Sequence, residues 1–385
     1  MSSVASVIPF PASDHGRKFP KANQANHIRT MTVRHVPHEA LCRFIESAFA
    51  SQGLPPTDAA QVAALMAEAD LQGSDGHGVI RLPQYLKRLR AGGINKQPHI
   101  QIVHERAAMA VVDGDNGMGH LVVSRAVDIA IEKARSVGVA WVGTRHSNHA
   151  GPASLYARRP LQHDMLGLYF AVGSANHMPP WGGMEMLLST NPIAAGIPAG
   201  DEPPVILDMA TTVTAYGKVK AKAKLGEQMP VGWMIDREGK PLLDPNRANE
   251  GFLLPIGQHK GYGLALIVGL LAGTLGGAAM GRDVIDFNAD HVSVTNTGQA
   301  ILVIDLAAFG DPEHFKQQVD HLVRDIRGST RLPGVERIWL PGEQSHEKRV
   351  RNGKQGIPVS LALFGELEAL AAELGITSLT DEVAA

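Results

Sequence analysis

The chain has 385 residues, 44% of them apolar, which is enough to bury a large core, and its 36 basic and 38 acidic side chains leave a formal charge of −2. No whole-chain field is available to hold nucleic acid or an anionic membrane, so any anion site has to be local. The single cysteine, Cys42, excludes an internal disulfide and a cysteine-based metal centre, in keeping with a reducing compartment.

Residues 1–30 read as a disordered extension. The apolar run Val4 to Phe10 is interrupted by Ser6 and Pro9 and follows no basic region, so it lacks a secretory pattern. Arg17, Lys18, Lys21 and Arg29 face only Asp14, a bias shared with organelle transit peptides; a solvated tail and a cytoplasmic protein are the expectation. From His38 to Ser51 the residues Leu41, Phe44, Ile45, Ala48 and Phe49 recur at helical spacing, with Gly53 and Pro55 as the stop. A second helix is expected after Thr57 or Asp58 as N-cap, ending near Leu71 and forming a hairpin with the first.

A strand is predicted over Ala108 to Asp113, then a glycine turn, then a helix with Ala126, Ala130 and Ala134 aligned and Gly138 as its end. Val139–Thr144, Leu166–Val172 and Val205–Leu207 read as buried strands. The run Gly261 to Gly281 carries no charge, and its seven glycines favour a helix starting near Lys260, buried on all sides and closely approached by a neighbour, over a membrane span. Asn296-Thr297-Gly298 between His291–Thr295 and Ala300–Ile304 signals a hairpin. Asp311 and Pro312 open a helix striped by Phe315, Val319, Leu322 and Ile326 and ended by Gly328; a last helix is expected over Leu361–Leu374.

The chemistry falls in loops. The run Gly114-Asp115-Asn116-Gly117-Met118-Gly119 has its glycines in the wrong order for a dinucleotide fingerprint and reads as a turn. In Asp75-Gly76-His77-Gly78, glycine on both sides of the imidazole permits close approach by backbone or ligand, and Arg81 offers a fork that fits a carboxylate. Ser147-Asn148-His149 follows a strand end, where sites are common; His146 with His149 has a metal-pair spacing, but no third ligand cluster lies nearby in the sequence, so no metal is expected. His259-Lys260 at a helix start brings an imidazole, an ammonium and free N–H groups together, an anion site, although a plain solvated lysine remains open there. An acid/base, a carboxylate clamp and a phosphate cradle are what reduction of a 2-oxo acid needs.

At these residues the chain resembles the type 2 malate/L-lactate dehydrogenase family, which also includes ureidoglycolate and sulfolactate dehydrogenases, diketogulonate reductases and Δ1-piperideine-2-carboxylate reductases. The likeness runs from about Met31 to Gly375, through Asp75-Gly76-His77-Gly78, Arg81-Leu82-Pro83-Gln84-Tyr85, Ser147-Asn148-His149, Pro180-Trp181-Gly182-Gly183, Thr190-Asn191-Pro192, Leu207-Asp208-Met209, His259-Lys260-Gly261-Tyr262-Gly263 and Leu340-Pro341-Gly342-Glu343. It implies an α/β fold distinct from the Rossmann type, with a mainly antiparallel or mixed sheet surrounded by helices, NAD or NADP as cofactor, a small carboxylate substrate, and a homodimer with shared active sites.

The expected division is a helical substrate and dimer region over 31–120 with the catalytic loop, a central cofactor-binding sheet over 121–310, and C-terminal helices over 311–385 packing back on the first region. The resemblance assigns acid/base chemistry to His77 with support from Asp208, the substrate carboxylate to Arg81, and a second site motif to His149; the choice between the two histidines stays open. Ser147, Asn148, Ser174, Thr190, Asn191, Pro192, His259, Lys260 and Gly342 correspond to cofactor contacts. Two departures stand out: Gly76 replaces the usual serine before the histidine, and Ala150 replaces the usual aromatic, which is expected to widen the pocket. The reaction expected is hydride transfer between a nicotinamide cofactor and a small 2-oxo or 2-hydroxy acid; reduction of a cyclic imine acid and a catalytically silent nucleotide-binding homologue are the alternatives.

Overall fold

The computed structural model describes residues 33–384, so the expected extension over residues 1–30 lies outside the described residues. A short strand β1 (Val33–Val36) leads into helices α1 (His38–Ser51) and α2 (Pro56–Leu71). The second helix begins earlier than its polar residues suggested: Pro55 occupies the cap position and Pro56 the first turn, where a missing N–H costs nothing. Two 3-10 turns over Asp75–His77 and Val79–Arg81 then enter α3 (Leu82–Ala91).

Next come β2 (Gln101–Arg106), β3 (Met109–Asp113), α4 (Gly119–Val137), β4 (Val139–Arg145), the one-turn α5 (Ser154–Ala157), β5 (Met165–Ala171), β6 (Ile193–Ile197) and β7 (Val205–Met209). The remainder is α6 (Tyr216–Leu225), β8 (Met234–Asp236), β9 (Gly251–Leu253), α7 (His259–Ala272), β10 (Gln299–Asp305), α8 (Pro312–Gly328), α9 (Glu343–Gln355), β11 (Ile357–Ser360), α10 (Leu361–Leu374) and α11 (Leu379–Ala384).

The central sheet has seven strands in the order β2-β3-β4-β10-β5-β6-β7. Only the β3–β4 neighbours run parallel; the other pairings are antiparallel. The fold is thus α/β with a mixed, mainly antiparallel sheet. Helix α4 lays Val122, Val123, Ala126, Val127 and Ala130 on the sheet residues Val112, Ala140, Val142 and Val303. A second core joins the first and last described elements: Phe44, Ile45, Phe49 and Met66 from α1 and α2 pack with Leu86, Ile357, Phe364 and Leu367, and β1 pairs antiparallel with β11.

Three sequence expectations change. His291–Thr295 forms no strand, and β10 pairs with β4 and β5 instead of closing a hairpin. The turn residues dock elements: the Asn296 side chain accepts from His146 N at 2.7 Å and donates to Gly277 O at 3.3 Å, and Gly298 lies so close to α7 that a Cβ there would stand 2.2 Å from Ala272 O. The stripe on α8 is not its buried face: Leu322 and Ile326 are exposed, while Asp320 and Val323 point inward. The cause is Asp320, whose carboxylate accepts from the N–H groups of Gly200, Asp201 and Glu202. Helix α7 is not buried on all sides either, since Leu264, Ile267 and Leu270 are exposed on one face. No helix among the described residues is long and apolar enough to cross a membrane.

Candidate active site

The loop after α2 places His77 against His149, which follows the end of β4. His77 Nδ1 is 3.3 Å from His149 Nε2, and the two ring planes are within 13° of one another. The other nitrogen of His149, Nδ1, is 2.5 Å from the hydroxyl of Tyr85 on α3. Phe287 closes the group, its ring centroid 5.7 Å from that of His149 and 5.6 Å from that of Tyr85. Both histidines are partly open to solvent though packed round by protein.

Burial first, and the nearby Arg81 charge second, push the His77 imidazole down to about 4. Burial first, and then the electrostatic influence of His77, Arg81 and His120, holds His149 well below the ordinary histidine value. The pair is therefore neutral at pH 7. Burial raises the Tyr85 phenol, so it keeps its proton.

Arg81 donates from Nε to Gly76 O at 2.9 Å and from Nη1 to Asn288 Oδ1 at 2.9 Å. Those bonds fix the guanidinium beside His77, and among the described residues no hydrogen bond or ion pair engages Nη2, so an end-on carboxylate retains a place. Asp208 is elsewhere: its carboxylate accepts from Ser154 N at 2.8 Å, and among the described residues no hydrogen bond or ion pair joins it to His77. Loss of water around the Asp208 carboxyl raises it above its ordinary value, against the lowering effects of the Ser154 hydrogen bonds and the Arg158 charge. His146 turns away from His149, with Nδ1 3.0 Å from an Asp113 carboxylate oxygen. Among the described residues no group of three or more His, Cys, Asp or Glu gathers as a metal site.

The residues expected at a cofactor divide into framework and open groups. Ser147 and Asn148 are fully buried; the Asn148 amide donates to Asn116 and Gly117 and accepts from Thr295. Asn191 is buried as well, accepting from Gly173 N and donating to Ala265 O of α7. Thr190 O accepts from Thr211 N, and Pro192 O from Ala171 N, which ties this turn to the sheet. Gly342, at φ +87°, starts α9 so close to β7 that a Cβ would meet Ile206 at 2.8 Å. These side chains hold backbone in place. His259 and Lys260, by contrast, are exposed at the start of α7, behind Gly257 and Gln258 at φ +55° and +60°, and no side chain caps that helix end. An uncapped helix N-terminus flanked by an ammonium and an imidazole suits a dinucleotide phosphate. Ser174 links the two regions, since its carbonyl accepts from Phe287 N at 2.9 Å.

The sequence motifs contain Tyr85 without giving it a task, although it lies one helical turn beyond Arg81, and they pass over His120, a fully buried ring 5.4 Å from Tyr85. Ala150 is buried, packed in the core that α4 shares with the sheet. At Gly76, in contrast, a Cβ would meet nothing within 4 Å.

A sequence model described as malate/L-lactate dehydrogenase matches residues 36–368. The chain belongs to that family. It is 36% identical over 352 residues to malate dehydrogenase of Pyrococcus horikoshii, covering 89% of this chain and 96% of that one. L-sulfolactate dehydrogenase of Methanocaldococcus jannaschii is 38% identical over 324 residues, covering 84% and 92%. The crystal structure of Δ1-piperideine-2-carboxylate reductase from Pseudomonas syringae superposes with a TM-score of 0.78 at 30% identity, covering 88% of this chain and all of that one. This member of the malate/L-lactate dehydrogenase family is thus an enzyme, a dehydrogenase or reductase working with a nicotinamide cofactor, as its motifs implied.

Proposed function

We propose that the enzyme interconverts a small 2-oxo acid and its 2-hydroxy acid, with His77 moving the proton and Arg81 holding the substrate carboxylate. One observation carries the choice of histidine: His149 has a partner at each ring nitrogen, Tyr85 at Nδ1 and His77 at Nε2, whereas His77 uses only Nδ1. The proton step at His77 fixes the tautomers: His149 Nδ1–H donates to the Tyr85 hydroxyl oxygen, which leaves His149 Nε2 as an acceptor. His77 then donates from Nδ1 to His149 Nε2, and His77 Nε2, which carries the lone pair of the neutral ring, is the nitrogen left to face the substrate oxygen.

When bound, NAD(H) or NADP(H) supplies or takes the hydride at the substrate carbon. His259, Lys260 and the free end of α7 would hold its phosphates, outside any doubly wound parallel sheet. The substrate carboxylate offsets the Arg81 charge that lowers His77, so substrate binding favours the imidazolium. His77 gives that proton to the carbonyl oxygen as the hydride reaches carbon, and is left neutral; oxidation runs the same step backwards. Asp208 supports this site through Ser154 and the β7 backbone, not by touching His77. The protein works in the cytoplasm as a homodimer, the exposed face of α7 being covered by a second copy.

The second reading is reduction of a cyclic imine acid, favoured by the likeness to the Pseudomonas syringae reductase. Following NADH and NADPH oxidation with pyruvate, oxaloacetate, sulfopyruvate and Δ1-piperideine-2-carboxylate separates the two, and no turnover with any of them sinks both. In Arg81→Lys, kcat/KM for the acid should fall by about 2 to 3 kcal/mol, the value of charge-assisted hydrogen bonds. An unchanged preference for the acid over its methyl ester overturns the clamp.

A further inference from the structure

Asp70, in the last turn of α2, is 5% exposed. No ion pair reaches it among the described residues, although a buried carboxyl without a cation is costly. Its Oδ2 accepts from Val79 N at 2.7 Å. Val79 opens the second of the two 3-10 turns, and Gly78 is the joint between them, with His77 on one side and Arg81 on the other. That joint lies against the carboxyl: a Cβ on Gly78 would stand 2.0 to 2.2 Å from its three atoms, a separation no side chain tolerates. The other backbone bonds of the turns stay local, His77 N to Ser74 O and Arg81 N to Gly78 O.

We propose that Asp70 is a positioning residue, whose carboxyl pins the Gly78–Val79 joint to α2 and so sets the His77 imidazole and the Arg81 guanidinium at the spacing of one substrate's carbonyl and carboxylate. Glycine at 78 and aspartate at 70 form a matched pair, one giving the space that the other fills. A leucine at position 70 would bury more apolar surface but offer Val79 N nothing. Misplacing a reacting group by about 1 Å costs on the order of a hundredfold in rate, so an anchor two residues from the imidazole has leverage. The inference depends on the reading of His77 and Arg81 as substrate residues.

The test compares Asp70→Ala, Asp70→Asn and Gly78→Ala in the full-length enzyme, using hydrogen exchange of the peptide spanning residues 73–81 without ligands, NADH affinity, and kcat/KM on the 2-oxo acid. Asp70→Ala should speed exchange in that peptide at least tenfold and lower kcat/KM at least tenfold, with NADH affinity within twofold. Asp70→Asn retains an acceptor of the same shape and should restore both readouts. Gly78→Ala, which forces the joint off the carboxyl, should reproduce the alanine phenotype, and it carries the test should Asp70→Ala not fold. Unchanged exchange in Asp70→Ala, or an asparagine variant as impaired as the alanine one, overturns the anchor. Faster exchange with full kcat/KM overturns the reading of this loop as catalytic, and the positioning role with it.

Discussion

The His77 imidazole is surrounded by influences of one sign. Burial and the Arg81 guanidinium both lower its proton affinity, to about 4, and the ring on its other side, His149, is neutral. A histidine so placed is a base at rest, ready to accept a proton from a 2-hydroxy acid without first losing one. Oxidation through the free enzyme should therefore show kcat/KM level from neutral pH down to about 5, falling as pH approaches 4, where His77 protonates. Reduction needs the opposite form, so its kcat/KM should fall about tenfold per pH unit above the same value. The rise on substrate binding should appear in kcat, whose apparent pKa for reduction is expected higher than that of kcat/KM. Initial rates in both directions from pH 4 to 9 decide this. An oxidation profile that breaks near the ordinary histidine value of about 6.5 would remove His77 from the role. The motif gave the histidine's identity and its Arg81 neighbour, but the burial that does most to lower its proton affinity comes from tertiary packing, with His149 the ring brought against it from far along the chain, and no local pattern reports that.

Among the elements, helices were the legible part, because a repeat of apolar residues is local information. The limits of α1 and α10 match their periodicity residue for residue. Strands β2 and β6 escaped notice: β2 is largely exposed and polar, and β6, Ile-Ala-Ala-Gly-Ile, is short and built of small residues. Asn296-Thr297-Gly298 misled for another reason, since asparagine and glycine serve close docking as well as hairpins. That difference can be measured at glycines. Gly298→Ala drives a methyl group to 2.2 Å from Ala272 O and 2.7 Å from Ala278 Cβ, so it should cost about 1 to 3 kcal/mol, the range for overpacking. Gly76→Ser adds its side chain to open space and should stay within about 0.5 kcal/mol of the parent. Urea unfolding of both variants is the measurement; equal losses would mean that docking is not what Gly298 does.

At the scale of the whole molecule, among the described residues β1 pairs with β11 and the helices α1 and α10 share one core, yet an apolar face is left uncovered. Leu264, Ile267 and Leu270 on α7 are 37%, 52% and 40% exposed, and Leu275 just beyond is 63% exposed. Contiguous apolar surface on a protein with near-balanced charge marks an interaction site more often than ordinary exterior. The opposite face of the same helix accepts the Asn191 amide at Ala265 O, so its position matters to the turn held by Asn191. A copy of this chain seated on that face would cover the leucines, and a stable contact would bury roughly 800 Å² on each partner. Ile267→Glu places a carboxylate in the middle of the patch without disturbing the buried side of α7. Desolvating an unpaired charge there should weaken association by about 3 kcal/mol, on the order of a hundredfold in Kd. Light scattering across a dilution series should find the parent at twice the chain mass and the variant at the chain mass at micromolar concentration, with helix content unchanged. A parent that is monomeric at every concentration, or a variant that dimerises as the parent does, would move the interface away from α7.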